Sequence, residues 1–229
     1  MASSNREGVD FGLTLLQAVV RWPERRLNGA AFDKYKASLG GLFATLTEPL
    51  GLSEGAGQAL LCRARDESTH LFVTDSDFRF GSEDIADAPA AQAKLVECFR
   101  LLPLPRKPGF ALEVHVEGEL VFAGLDDATA VLNPVKLGLS RKRVRSLPGR
   151  VVLCGVTLYL CEEQHKVHTS VSVTPGRRSK RGVWVYIGRT GVSFSTVPQL
   201  QKALGEAVGL APEHLADLVQ ASWLQAREA

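Results

Sequence analysis

Three stretches from residue 110 onward alternate two kinds of side chain with a period of two, and they constrain the fold more than any other feature. The first two alternate apolar with polar residues, and the third alternates aliphatic with aromatic residues. They cover residues 110–117, 166–174 and 183–187. Successive side chains of a strand point to opposite faces, so this alternation predicts half-buried β-strands. The last two stretches flank a polar connector that contains Gly176 and Gly182, a pattern typical of a β-hairpin.

Shorter apolar runs and turn residues predict the rest of the sheet. Asp75-Ser76-Asp77 and Glu117-Gly118 are expected to be turns, because Asp, Ser and Gly favour them. The second turn would connect the strand at 110–117 to another one. Further strands are expected at residues 59–64, 70–74, 78–80, 120–123, 150–161 and 191–194.

Both ends of the chain have apolar residues at helical spacing. Thr196 followed by Gln199 predicts a capping box for a helix that ends near Gly209. Pro212 is expected to begin a further helix, which would make the C-terminus a helical hairpin. The other predicted helices cover residues 9–22, 30–47 and 88–102, with a short or kinked one in 126–138.

These elements together predict an α+β fold: a mainly antiparallel sheet with N-terminal helices and a C-terminal helical hairpin. The 229 residues fit one large domain or two small ones. We expect an acidic α/β region at 1–132 and a basic β-hairpin region with C-terminal helices at 133–229, or one continuous domain. No internal repeat of fixed period is visible.

Composition predicts a soluble protein of a reducing compartment. No run of about 18 apolar residues predicts a membrane span. The apolar stretch 11–22 follows a polar start and has helical spacing, so we expect a mature helix rather than a signal peptide. The cysteines form no C-x-x-C pair, which favours free thiols and a cytoplasmic location. They are Cys62, Cys98, Cys154 and Cys161.

Charge is distributed unevenly along the chain. Residues 1–132 contain 13 Lys/Arg and 19 Asp/Glu, whereas residues 133–200 contain 12 Lys/Arg and two acidic residues, Glu162 and Glu163. Residues 201–229 contain two basic and four acidic residues. A local excess of positive charge indicates an anionic partner, with a merely solvated face as the alternative.

The basic segment carries the main functional hypothesis, a non-catalytic nucleic-acid-binding protein that forms part of a larger assembly. Cationic side chains neutralise phosphates, and Trp184 and Tyr186, two residues apart on one strand, would stack on bases. The pattern does not separate RNA from DNA. The expected phosphate ligands are Arg141, Lys142, Arg143, Arg145, Arg177, Arg178, Lys180 and Arg181.

Two other classes of function stay open. The basic face could dock an acidic protein partner, or the acidic half of a second copy in a homo-oligomer, with the aromatic pair as interface anchor. Alternatively, Asp75 and Asp77 could hold a divalent cation in a metal-dependent enzyme. Zinc on Cys154, Cys161, His165 and His168 is disfavoured by their spacing. No cofactor is predicted, and the absence of local catalytic motifs favours a non-enzyme.

Overall fold

The computed structural model shows a single ten-stranded sheet with helices. It describes residues 9–22, 29–43, 45–46, 50–51, 58–64, 68–103, 109–123, 125–130, 132, 155–162, 164, 166–176, 178–216 and 219. The strands are β1 Val9–Arg21, β2 Thr45–Leu46, β3 Leu50–Gly51, β4 Gln58–Arg63, β5 Thr69–Thr74, β6 Asp77–Glu83, β7 Phe110–Phe122, β8 Val156–Glu162, β9 Val167–Pro175 and β10 Gly182–Phe194. The helices are α1 Gly29–Leu39, α2 Ala88–Arg100 and α3 Val197–Leu210, with a 3-10 turn at Ala128–Ala130.

The sheet order is β2-β4-β5-β6-β1-β7-β10-β9-β8, and β3 also pairs with β4. Every described pair is antiparallel. The prediction of a mixed α+β protein with a mainly antiparallel sheet is therefore confirmed. The predicted hairpin of the second half is β9 and β10.

The first predicted helix, 9–22, is wrong, because this segment is the central strand β1. The register of β1 against β7 shifts between Leu13 and Leu15, where a bulge adds one residue. The buried residues on either side of the bulge, Leu13 and Leu16, are therefore three positions apart. The next buried residues, Ala18 and Val20, follow at intervals of two. A bulge in a strand that is apolar on both faces imitates helical spacing.

The second predicted helix forms, but it is shorter than 30–47. It covers Gly29–Leu39 and buries Phe32, Tyr35 and Leu39, and residues 45–46 form β2 instead. Helix 88–102 is confirmed as Ala88–Arg100. Of the predicted stretch 126–138, the described part contains the 3-10 turn, and residues 133–138 lie outside it.

The predicted turn at Glu117-Gly118 is wrong, because β7 runs through it as one strand of 13 residues. Gly118 instead lets the ring of Phe11 pack directly against the backbone of β7. A Cβ atom placed there would lie 2.5 Å from the ring of Phe11 on β1. The separate strand predicted at 191–194 is the end of β10, which bends at Gly191, where φ is 82°.

The capping box that Thr196 and Gln199 predict is present at the start of α3. The predicted helical hairpin is wrong over the described residues, because the chain continues from α3 through a π-helical turn at Ala211–Leu215 to Ala216. Gly209 does not end the helix, and Pro212 lies inside the wider turn. No helix in the described part is long and apolar enough to cross a membrane.

The two halves of the chain repeat one topology. A long strand (β1 or β7) is followed later by a three-stranded meander (β4–β6 or β8–β10) and then by a helix (α2 or α3). The long strands pair at the centre, which gives an approximate twofold axis between them. Asp87 and Thr196 cap the two helices, and each helix has a proline in its first turn. This repeat is topological and has no fixed sequence period.

The two faces of the sheet differ in burial. Alternate residues of the strands pack with the helices in one apolar core, in which Phe99 of α2 contacts Phe78, Phe110 and Phe194 edge-on. We call the other side the open face. No described helix covers it, and it carries Gln17, His115 and Tyr159 among its mainly polar side chains.

Candidate functional site

The predicted basic tip is the turn between β9 and β10, and hydrogen bonds anchor its described residues to other segments. The Ser179 amide donates a hydrogen bond of 3.0 Å to a carboxylate oxygen of Glu119 on β7, and Glu119 is only 6% exposed. The Ala128 amide donates to the Lys180 carbonyl at 2.7 Å. The turn is therefore anchored to two other segments.

The positive charges of the tip are partly used within the protein. Arg178 donates to Asp84 at 2.8 Å in an exposed ion pair. Hydrogen bonds from Thr129 lower the pKa of Asp127, and the charge of Lys180 lowers it further. Lys180 and Arg181 are exposed. The tip thus offers fewer free cations than its sequence suggests.

Half of the predicted phosphate ligands and rings lie in the described part of the chain, namely Arg178, Lys180, Arg181, Trp184 and Tyr186. Of these, the three cations lie on the tip and the two rings on β10. The other predicted ligands, Arg141, Lys142, Arg143, Arg145 and Arg177, lie outside the described residues.

Trp184 and Tyr186 share the open face, as their spacing predicts, but their surroundings differ. Trp184 is 8% exposed, so its indole has little surface for a base to stack on. Tyr186 is half-buried, and its hydroxyl lies 2.7 Å from Nδ1 of His115. The rings of His115 and Tyr186 stack with centroids 5.9 Å apart.

His115 belongs to a chain of four hydrogen-bonded side chains. Its Nε2 lies 2.9 Å from Glu113, and Arg21 donates to the same carboxylate at 3.0 Å. The Glu113 carboxylate can only accept, so Nε2 is the donor to it, whereas the Tyr186 hydroxyl can donate to Nδ1 or accept from it. The alternation of the strand predicts that Glu113 and His115 are neighbours on one face. It does not predict the hydrogen bond between His115 and Tyr186, which are 71 residues apart in the sequence.

The pKa values of Tyr186 and Glu113 are shifted in opposite directions. Burial, followed by the charges of Glu117 and Glu113, raises the pKa of Tyr186. Burial also acts to raise the pKa of Glu113, but hydrogen bonds from His115 and Arg21 outweigh it and leave that pKa lowered. The hydrogen bonds of His115 to Tyr186 and Glu113 hold the two rings in position.

A cavity of about 230 Å³ opens beside these rings. Its floor is Gly188, where a Cβ atom would lie 2.9 Å from Ser170 Oγ and 3.1 Å from the Tyr186 hydroxyl. Among the described residues, no Lys, Arg, Asp or Glu lines it. The lining consists of His115, Tyr159, Leu160, Cys161, His168, Thr169, Ser170, Tyr186, Gly188 and Thr190.

β8 forms the outer wall of the cavity and is an edge of the described sheet, since it pairs only with β9 among the described strands. Its Tyr159 is 84% exposed and its Leu160 is 48% exposed. These two are the exposed large hydrophobic residues of the described part. The sequence marked this strand as apolar, but only the sheet order shows that it lies at the edge.

The open face is acidic. Over the described strands, the register places six carboxylates on it but only three guanidinium groups, those of Arg21, Arg63 and Arg79. The carboxylates are Asp10, Asp77, Glu83, Glu113, Glu117 and Glu119. The described part of this face therefore repels a polyanion.

The metal hypotheses find no support in the described residues, where no group of three possible ligands comes together. Asp77 pairs with Arg79 at 2.9 Å, and the backbone carbonyl of Asp75 accepts a hydrogen bond from Trp22. Cys161 and His168 face each other across β8 and β9. Cys154 and His165 lie outside the described residues.

Fold and site together define an α+β protein with helices on one face of a ten-stranded sheet and a ring-lined cavity on the other. The sequence matches no protein-family model, and no curated protein matches it significantly. Geometry and charge alone therefore indicate what these surfaces bind.

Proposed function

We propose that this protein is a non-catalytic interaction module that binds an extended segment of a partner protein as an additional strand on β8. The exposure of Tyr159 and Leu160 on this edge strand carries the proposal. An edge strand presents unpaired N–H and C=O groups, which is the surface used in β-strand addition.

The composition of β8 supports this function. Natural edges are usually protected by Lys, Pro or a covering element. The sequence of β8 is VTLYLCE, which contains neither residue. A single acidic residue, Glu162, stands at its end and pairs with Arg189 at 3.0 Å. The rest of the β8 sequence is free of charge.

The two exposed side chains define the partner segment. Neighbouring residues of a strand point to opposite faces, so Tyr159 and Leu160 would contact both sides of an added strand. Burying the exposed half of a leucine is worth about 1 kcal/mol. We therefore expect an extended segment with apolar residues on both faces, about seven residues long to match β8.

The experiment selects binders from a displayed library of random peptides and measures each by titration calorimetry. Leu160→Lys places a charge on the edge and should weaken binding about tenfold. The matched control is Ala111→Lys, which places the same charge on an exposed position of the interior strand β7 and should leave affinity unchanged. Bound peptide should slow amide hydrogen exchange in β8.

Four results would overturn the proposal. A selection that yields no binder would contradict it, and so would peptides that bind the Leu160→Lys protein normally or protect another strand. Light scattering that shows dimers dissociated by Leu160→Lys would identify a second copy of this chain, not a partner protein, as the occupant of the edge.

Nucleic-acid binding by the basic tip is the second candidate, and the exposed Lys180 and Arg181 on a hydrogen-bonded turn favour it. Replacing Arg177, Arg178, Lys180 and Arg181 with Ala should abolish binding without unfolding, and affinity should fall steeply with salt. A mobility-shift assay at low salt with single- and double-stranded RNA and DNA tests this. No shift with any of the four would eliminate the candidate.

A further inference from the structure

The cavity between β8 and β10 combines aromatic walls with a described lining that contains no Lys or Arg. Four of its lining residues carry rings: His115, Tyr159, His168 and Tyr186. The Glu113–His115–Tyr186 hydrogen bonds fix two of these rings. Tyr159, almost fully exposed, forms the outer wall.

A carboxylate adjoins these rings. Glu117 is the cross-strand partner of Tyr186 on the open face. Its negative charge contributes to the raised pKa of Tyr186, after burial. The Glu117 carboxylate has no ion-pair partner among the described residues, whereas Arg21 neutralises Glu113. Among the described residues, an unpaired negative charge therefore lies beside the ring pair, and it would attract a positive ligand.

We propose that this cavity binds the alkylated ammonium group of an organic cation. Aromatic faces attract cations through their quadrupoles, and rings around a quaternary ammonium are a common recognition device. A nearby carboxylate strengthens the attraction. The volume of about 230 Å³ is below the roughly 300–1,000 Å³ typical of drug-sized ligands, so it suits a compact head group.

The cavity and the peptide-binding edge use mainly different groups of the protein to bind their ligands. The cavity uses side chains on the open face of β7, β9 and β10, in addition to Tyr159 of β8. The β8 edge uses its backbone groups and shares Tyr159 and Leu160 with the cavity. The cation titration contains no peptide and the peptide titration contains no organic cation, so the two proposals can fail separately.

The test titrates the purified protein with tetramethylammonium chloride and, in parallel, with tert-butanol, a neutral molecule of similar shape, at constant ionic strength. Chemical shifts of the His115 and His168 rings are recorded by NMR. We expect saturable shifts of these rings with tetramethylammonium and at least about tenfold weaker binding of tert-butanol.

Two variants localise the effect. Tyr159→Leu removes an exposed ring, so folding should be unaffected, and the affinity for tetramethylammonium should fall roughly two- to thirtyfold. Glu117→Gln should weaken binding in the same direction. Phe72→Leu, which removes an open-face ring outside the cavity, is the matched control and should have no effect.

The proposal is wrong if tert-butanol and tetramethylammonium bind equally, since the cavity would then be only an apolar pocket. It is equally wrong if neither ligand shifts the histidine rings. Unchanged affinity in the Tyr159→Leu protein, with its unfolding temperature unaltered, would place any bound cation outside the cavity.

Discussion

Replacing Tyr35 with Phe should destabilise the protein by removing one buried hydrogen bond. Tyr35 is fully buried on α1, and its hydroxyl donates to the Cys98 carbonyl in the last turn of α2 at 2.7 Å. Carbonyls at the C-terminal end of a helix lack intrahelical donors. In α2 the Leu101 amide bonds to Glu97 and the Leu102 amide to Phe99, so Tyr35 is the partner left for Cys98.

The size of the effect follows from the unsatisfied carbonyl. Phe keeps the ring packing, so the cost is that of a buried acceptor without a donor, about 1–3 kcal/mol. With a urea m value of about 2–3 kcal/mol/M, a loss of about 2 kcal/mol lowers the unfolding midpoint by roughly 0.7–1 M. Urea denaturation followed by circular dichroism measures this, and the m value should stay constant.

The matched control is Tyr159→Phe, which removes the same hydroxyl from an exposed ring and should change stability by less than about 0.5 kcal/mol. If Tyr35→Phe were also within about 0.5 kcal/mol of the unmodified protein, the cross-helix cap would contribute nothing, and the reasoning would fail.

The other predictions concern the thiols and one glycine. Burial raises the pKa of both Cys62 and Cys98 to about 12, so a thiol reagent at neutral pH should modify the exposed Cys161 in the folded protein and these two only after unfolding, as mass spectrometry of labelled peptides would show. The raised pKa also means that the folded state retains protons that the unfolded state releases, so stability should fall between about pH 9 and pH 12 in urea titrations, and a flat profile would contradict the buried placement. Gly191→Ala should destabilise by about 2 kcal/mol or more, because φ is 82° and the new Cβ atom would lie 2.3 Å from the Lys166 carbonyl oxygen; an unchanged unfolding temperature would refute this.

Local patterns predicted the parts of the fold that depend on neighbouring residues. The β9–β10 hairpin, the β5–β6 hairpin and the cap at Thr196 all rest on short-range alternation or side-chain-to-backbone bonds, and each is present. The wrong predictions concern segments whose structure depends on contacts with distant residues. The bulge in β1 gives this strand the apolar spacing of a helix. Gly118 was predicted to lie in a turn, but it lies inside β7, where the absence of a side chain makes room for Phe11.

The candidate site likewise has features that the sequence predicts and features that depend on distant contacts. The sequence revealed an excess of positive charge and the shared face of Trp184 and Tyr186. It did not show that Arg178 pairs with Asp84 across 94 residues, nor that Trp184 is buried. Ion pairs and burial depend on which strands lie side by side, and this order is not encoded in any one segment.

The amino-acid pattern was enough to predict the α+β class, most of the secondary structure after residue 109 and the uneven charge. Strand order was needed to show that β8 is an edge of the described sheet, that the described strands present an acidic open face and that the rings of His115, Tyr159 and Tyr186 line one cavity. Alternation specifies which face a side chain occupies, whereas strand pairing specifies its neighbours, and binding depends on those neighbours.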